Sequence, residues 1–135
     1  MNYVIFSIDD AHDLRSIAKF THFMDVQKAM GRLNGDPKIC IGAYKGVLEN
    51  SFIVTESDFY HHIEGTDYVL GQESILLVED GHHGEMYASL HYLEQGVRDG
   101  EHYSLGLLKS VDKSVALEQD AWTYRPDLNT YWIAQ

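Results

Sequence analysis

Basic residues are scarce in this chain: ten Lys and Arg stand against 21 Asp and Glu, a formal charge of −11. That sign repels the phosphates of nucleic acids and anionic lipids, so neither is expected as a partner. Cysteine is scarcer still. Cys40 is the only one; it excludes an internal disulfide framework, suits a reducing cytoplasm, and sits in the apolar run ICI, where a buried structural thiol is expected. No apolar run approaches the ~20 residues of a membrane-spanning helix. The start NYVIFSI has no basic leader before the acidic DDAHD, so a soluble protein without a targeting segment is expected. Missing too are the glycine-rich phosphate loops, G-x-G-x-x-G and Walker A, and the strained elbow G-x-S-x-G of many serine hydrolases.

The residues that are present fit a folded globular chain. At 135 residues, 44% of them apolar, a single domain spanning residues 1–135 is expected, large enough for a core without disulfides. The acidity itself has two readings. It is either a solvated surface or an imitation of a nucleic-acid backbone that blocks a DNA-binding enzyme. The acids are interspersed with Lys and Arg and form no long run, which favours the first.

Along the chain, NYVIFSID reads as a strand ending near Asp9, and Asp10 or Asp13 can cap a helix after it. From about Ala11 to Leu33 the apolar positions Leu14, Ile17, Ala18, Thr21 and Met24 recur at helical spacing. In the second half Phe23, Val26, Met30 and Leu33 widen the stripe, so the helix is expected to bury a second side, as against another subunit. LNGDP ends it. Residues 38–46 and 48–55 read as paired strands turning at Gly46. ESDFYHHIEG opens a second helix at Glu56, interrupted near Gly65. ESILLVE and EMYASLHYL read as strands joined by the turn DGHHG, and EHYSLGLLK, AWTYR and TYWIA as three further strands. The order of the first six elements, β-α-β-β-α-β, predicts an α+β fold with a ferredoxin-like core and extra C-terminal strands.

Candidate chemistry is thin by pattern alone. Eight histidines raise the question of a metal, but His61 and Glu64 at i, i+3 supply only two ligands, and His82 and His83 fall in a turn; no metal site is expected. Glu49 and Glu73, with Gln72 beside the second, stand at strand ends, where exposed acids are ordinary. Tyr44 and Glu49 flank the glycine turn of the first hairpin.

GAYKGVLENSFIV, GQESILLVEDGHHGEMY and the closing AWTYRPDLNTYWIAQ, taken in order, resemble the bacteriophage S-adenosylmethionine hydrolases, now understood as lyases. The resemblance runs from about residue 39 to the end. It implies a homotrimer of ferredoxin-like, PII-like subunits with active sites between them, working without cofactor or metal in the cytoplasm of the infected bacterial host. It implies S-adenosylmethionine as substrate, cleaved to 5'-methylthioadenosine and homoserine lactone as a counter-defence against restriction-modification. Glu49 and Glu73 would be the catalytic pair, and Tyr44, Gln72 and Ser51 would bind substrate. Two other functions stay open: an acidic, non-catalytic phage antagonist of a host restriction or methylation enzyme, and a PII-like sensor that binds a nucleotide and releases it unchanged.

Overall fold

The computed structural model describes residues 1–81, 83–93 and 101–135, so His82 of the turn lies outside the described residues. Eight strands form one closed antiparallel barrel: β1 (Tyr3–Ser7), β2 (Lys38–Tyr44), β3 (Val47–Thr55), β4 (Ser74–Asp80), β5 (Met86–Tyr92), β6 (His102–Val111), β7 (Ala121–Arg125) and β8 (Thr130–Ala134). Their order around the barrel is β1-β3-β2-β7-β8-β6-β5-β4, and β4 pairs with β1 to close it.

This closure corrects the ferredoxin-like expectation. β1, β2, β3 and β4 do alternate with helices along the chain, but they are one half of a barrel rather than an open α+β sheet. An open sheet exposes the unpaired backbone of its two outer strands. Here β7 pairs with β2, with Ile41 opposite Tyr124, and β5 pairs with β4, with Val78 opposite Ala88. β6 and β8 join the two ends. The C-terminal strands are therefore wall, not appendage.

Because side chains alternate across a strand, each strand of the β1–β3–β4 wall serves two interiors. Val4, Phe6, Phe52, Val54, Ile75 and Leu77 face outward into the main core, where they meet helix α1 (Leu14–Ala29) and helix α2 (Glu56–Asp58) with the π-helical turn Phe59–Ile63 that continues it. Phe20 anchors α1 there, its ring 4.5 Å from Phe52 and 5.7 Å from Phe6 between centroids. Phe20, Met24 and Gln27 are the buried face of α1, whereas Leu14, Val26 and Met30 are exposed. The stripe expected from Leu14 is thus rotated toward Phe20, whose aromatic burial outweighs the aliphatic positions around it.

The helix is also shorter than its periodicity, because Asp13 accepts from the Arg15 N–H as N-cap (2.9 Å) and Gly31 takes φ 70° just past the end. The loop leaving α1 is clasped by the buried Asp58 carboxylate, which accepts from the N–H groups of Asn34 (2.9 Å) and Gly35 (3.2 Å). Lys45 and Gly46, with φ 51° and 80°, make the tight β2–β3 hairpin. A short helix, α3 (Lys113–Leu117), precedes β7 and has no counterpart in the sequence pattern.

On the opposite face of β2, Cys40 is fully buried, and burial pushes its thiol up to about 12, as befits an inert structural cysteine. His91 on β5 stacks on His102 of β6, centroids 5.3 Å apart. Burial, and then the neighbouring His102, hold His91 below its ordinary 6.5. A depressed folded value means the unfolded chain takes up the proton first, so stability present above 6.5 is lost as pH falls through the folded value. We expect the urea midpoint to drop between about pH 7.5 and 5.5, and to drop less in His91→Gln. Equal drops in both proteins would contradict this role.

Candidate functional site

At one end of the barrel the inward side chains of β1 and β3 are polar. Ser7 and Ser51 are register partners, and both are buried. The Ser7 hydroxyl donates to Glu49 Oε2 at 2.6 Å. The Ser7 and Ser51 hydroxyls lie 3.2 Å apart, and the Ser51 hydroxyl also reaches the Glu49 carbonyl at 3.5 Å. The Ser7 backbone N–H donates to Gln72 Oε1 (3.0 Å), which fixes the amide and leaves its NH2 group for a ligand. One serine thus orients an acid from β3 and an amide from the segment leading into β4.

Above this layer lies a cavity of ≈230 Å³, lined by Ser7, Ile8, Asp9, Asp10, Ala11, His12, Glu49, Gly71 and Gln72. Asp10 holds the left-handed region, φ 53°, a conformation Asp tolerates better than most residues. The Asp9 N–H donates to the Tyr68 carbonyl (2.5 Å), and Asn50 Nδ2 donates to the Ala11 carbonyl (3.2 Å). The turn between β1 and α1 is therefore pinned on both sides. A side chain at position 71 would place its Cβ 3.3 Å from Asp9 Oδ1, so glycine there lets the Asp9 carboxylate approach. Three carboxylates and no Lys or Arg line the cavity. That field attracts cations and hydroxyl donors and repels phosphates.

Of the residues singled out from sequence, Glu49, Gln72 and Ser51 meet around Ser7. Glu73 and Tyr44 are not part of this cavity's lining. Glu73 is exposed, its carbonyl accepting from the Leu93 N–H (2.9 Å). Tyr44 is 54% exposed at the hairpin end, with the Lys45 ammonium 5.3 Å from its ring centroid. His61 Nδ1 is engaged locally with the Ser57 carbonyl (2.8 Å). Among the described residues no group of three or more His, Cys, Asp or Glu is arranged to hold a metal ion. Sequence reasoning misses Ser7, Asp9, Asp10 and His12 as site residues. A signal exists, two consecutive acids and a histidine directly after a strand, but a strand end and a helix cap explain it equally well.

The model of the S-adenosylmethionine lyase family matches residues 11–135. The chain belongs to that family. The matched stretch includes Glu49, Ser51 and Gln72 and begins just after Asp9 and Asp10, so those two acids rest on the structure alone. A comparison with curated proteins gives no match.

The Ser7–Glu49 bond is a hydrogen bond to a charged group, worth about 1.5–3 kcal/mol. A double-mutant cycle on unfolding, with Ser7→Ala, Glu49→Ala and the pair, should return a favourable coupling energy of roughly that size. Strict additivity would show that the two groups do not sense each other.

Proposed function

We propose that the chain cleaves S-adenosylmethionine to 5'-methylthioadenosine and homoserine lactone. The observation that carries this reading is the charge of the cavity. Asp9, Asp10 and Glu49 face it with no Lys or Arg among the lining residues, which suits a substrate bearing a sulfonium and an ammonium. It disfavours the sensor alternative, because a nucleotide polyphosphate would meet like charge without compensation.

In this reaction the substrate's own carboxylate attacks its γ-carbon. The C–O bond forms as the C–S bond breaks, the sulfur keeps the electron pair, and a five-membered lactone leaves beside a neutral thioether. No water, proton transfer or metal enters the balance. The protein's task is to hold the methionyl chain folded, and a well-oriented intramolecular attack gains about 7–11 kcal/mol over a bimolecular one. The carboxylates serve best against the ammonium and the ribose hydroxyls, whose charges do not change. Pressed against the sulfonium they would stabilise the very charge the reaction consumes. Glu49, with Oε2 held by Ser7, offers Oε1 to such a group, and the Gln72 NH2 fixes a neutral acceptor.

A cavity of ≈230 Å³ is smaller than the ~300–1,000 Å³ of typical ligand pockets. We further propose that a neighbouring copy in a homotrimer completes the site and that Tyr44 and Glu73, exposed on this chain, contribute across that seam. In the biology this reading serves, a phage enzyme in the host cytoplasm would deprive restriction-modification systems of their cofactor.

Trace protein incubated with S-adenosylmethionine should yield methylthioadenosine and homoserine lactone by liquid chromatography and mass spectrometry. Glu49→Gln, which keeps shape and removes charge, should lose roughly ten- to hundredfold in kcat/KM. Intact substrate after many equivalents would favour the non-catalytic antagonist, and full activity of Glu49→Gln would remove Glu49 from the site.

A further inference from the structure

The inward side chains of β1 run Tyr3, Ile5, Ser7 and those of β3 run Thr55, Ile53, Ser51, Glu49, so the barrel interior changes from apolar to polar along its length. The polar end holds the cavity at Ser7 and Glu49. The apolar end holds a second and larger cavity of ≈550 Å³, walled by Ile5, Ile53, Val78, Met86, Leu108 and Trp132. That volume falls within the ~300–1,000 Å³ of small-molecule sites, and eight-stranded barrels have room for one small ligand.

Among the described residues, Trp132 Nε1 is the one buried side-chain polar atom without a hydrogen-bond partner. An unpaired buried donor costs about 1–3 kcal/mol, and this one belongs to a residue of the cavity wall. Arg125, on the adjacent strand, also lines the cavity. Its guanidinium is held in place by Asp127, which accepts from Nε (3.2 Å) and Nη2 (2.6 Å), leaving Nη1 outside the pair. Lys38 and Asp36 stand at the same wall, and Asp36 is engaged with Lys28 at 2.5 Å. At this end the carboxylates beside Lys38 and Arg125 are each paired with a cation, Asp36 with Lys28 and Asp127 with Arg125, whereas the three carboxylates of the other cavity have no Lys or Arg in its lining.

We propose that the apolar end of the barrel is a second small-molecule site, for an apolar carboxylate. Its hydrocarbon part lies among Ile5, Ile53, Val78 and Leu108, beside the Trp132 ring, and its carboxylate is drawn by Arg125 and Lys38. The assignment is independent of the lyase reading.

Octanoate is the probe. The chain has two tryptophans, Trp122 and Trp132, so isotope-labelled protein gives two indole N–H resonances, assigned with Trp132→Phe. Titration should move the Trp132 resonance saturably and leave that of Trp122 in place. Octylamine at equal concentration should not move it. Leu108→Phe, which narrows the cavity, should weaken octanoate binding about tenfold, its folding checked by the dispersion of the same spectrum. An unmoved Trp132 resonance at millimolar octanoate would overturn the site. An equal response to octylamine would overturn the carboxylate assignment. Undiminished affinity in folded Leu108→Phe would place the ligand elsewhere.

Discussion

β1 lies between β3 and β4, hydrogen-bonded to both, and the two faces of this single strand feed both interiors of the molecule. Outward, Val4 and Phe6 join Phe20, Phe52 and Phe59 in the core that ties α1 to the barrel wall. Inward, Ser7 meets Ser51, Glu49 and Gln72. A register slip of one residue would send Ser7 into the aromatic core and Phe6 into the polar end. The same packing that stabilises the fold therefore sets the geometry of the site, since Phe20 on α1 fixes where the β1–α1 turn, with Asp9 and Asp10, must run.

Local features of the fold were legible from the sequence because they depend on neighbours in the chain. The β2–β3 hairpin turns where the glycine predicts, and the β4 and β5 strands lie where their apolar runs predict. Closure was not legible. It depends on pairs such as Ile41 with Tyr124, far apart in the chain, and nothing in the alternation of AWTYR says which edge it will cover. An α+β sheet with spare strands and a closed barrel present the same local pattern. The rotated face of α1 has a similar origin: helical spacing offers several apolar stripes, and contact with Phe6 and Phe52 selects the one containing Phe20.

The site divides the same way. Glu49, Ser51 and Gln72 were reached through segments resembling the S-adenosylmethionine lyases, and they converge in space on Ser7, which carries no signal of its own in one dimension. Asp9 and Asp10 have an ordinary local explanation as strand end and cap, and only the tertiary approach of Glu49 and Gly71 gathers them into one cavity. The barrel then separates charge by position, with carboxylates facing no Lys or Arg in the cavity at the C-terminal end of β1 and carboxylates paired with cations at the other. In a chain of net charge −11 that separation follows from where the β1–α1 turn and β3 bring Asp9, Asp10 and Glu49 together rather than from composition.

In the proposed reaction the protein supplies geometry and the substrate supplies its own nucleophile. The most direct test is turnover of S-adenosylmethionine in heavy-oxygen water, with the label located in the products. Intramolecular attack predicts lactone free of label, and homoserine formed later by its hydrolysis labelled only in the carboxylate. Label on the γ-hydroxyl of homoserine would mean that water attacked the γ-carbon, and would rule out attack by the substrate's own carboxylate.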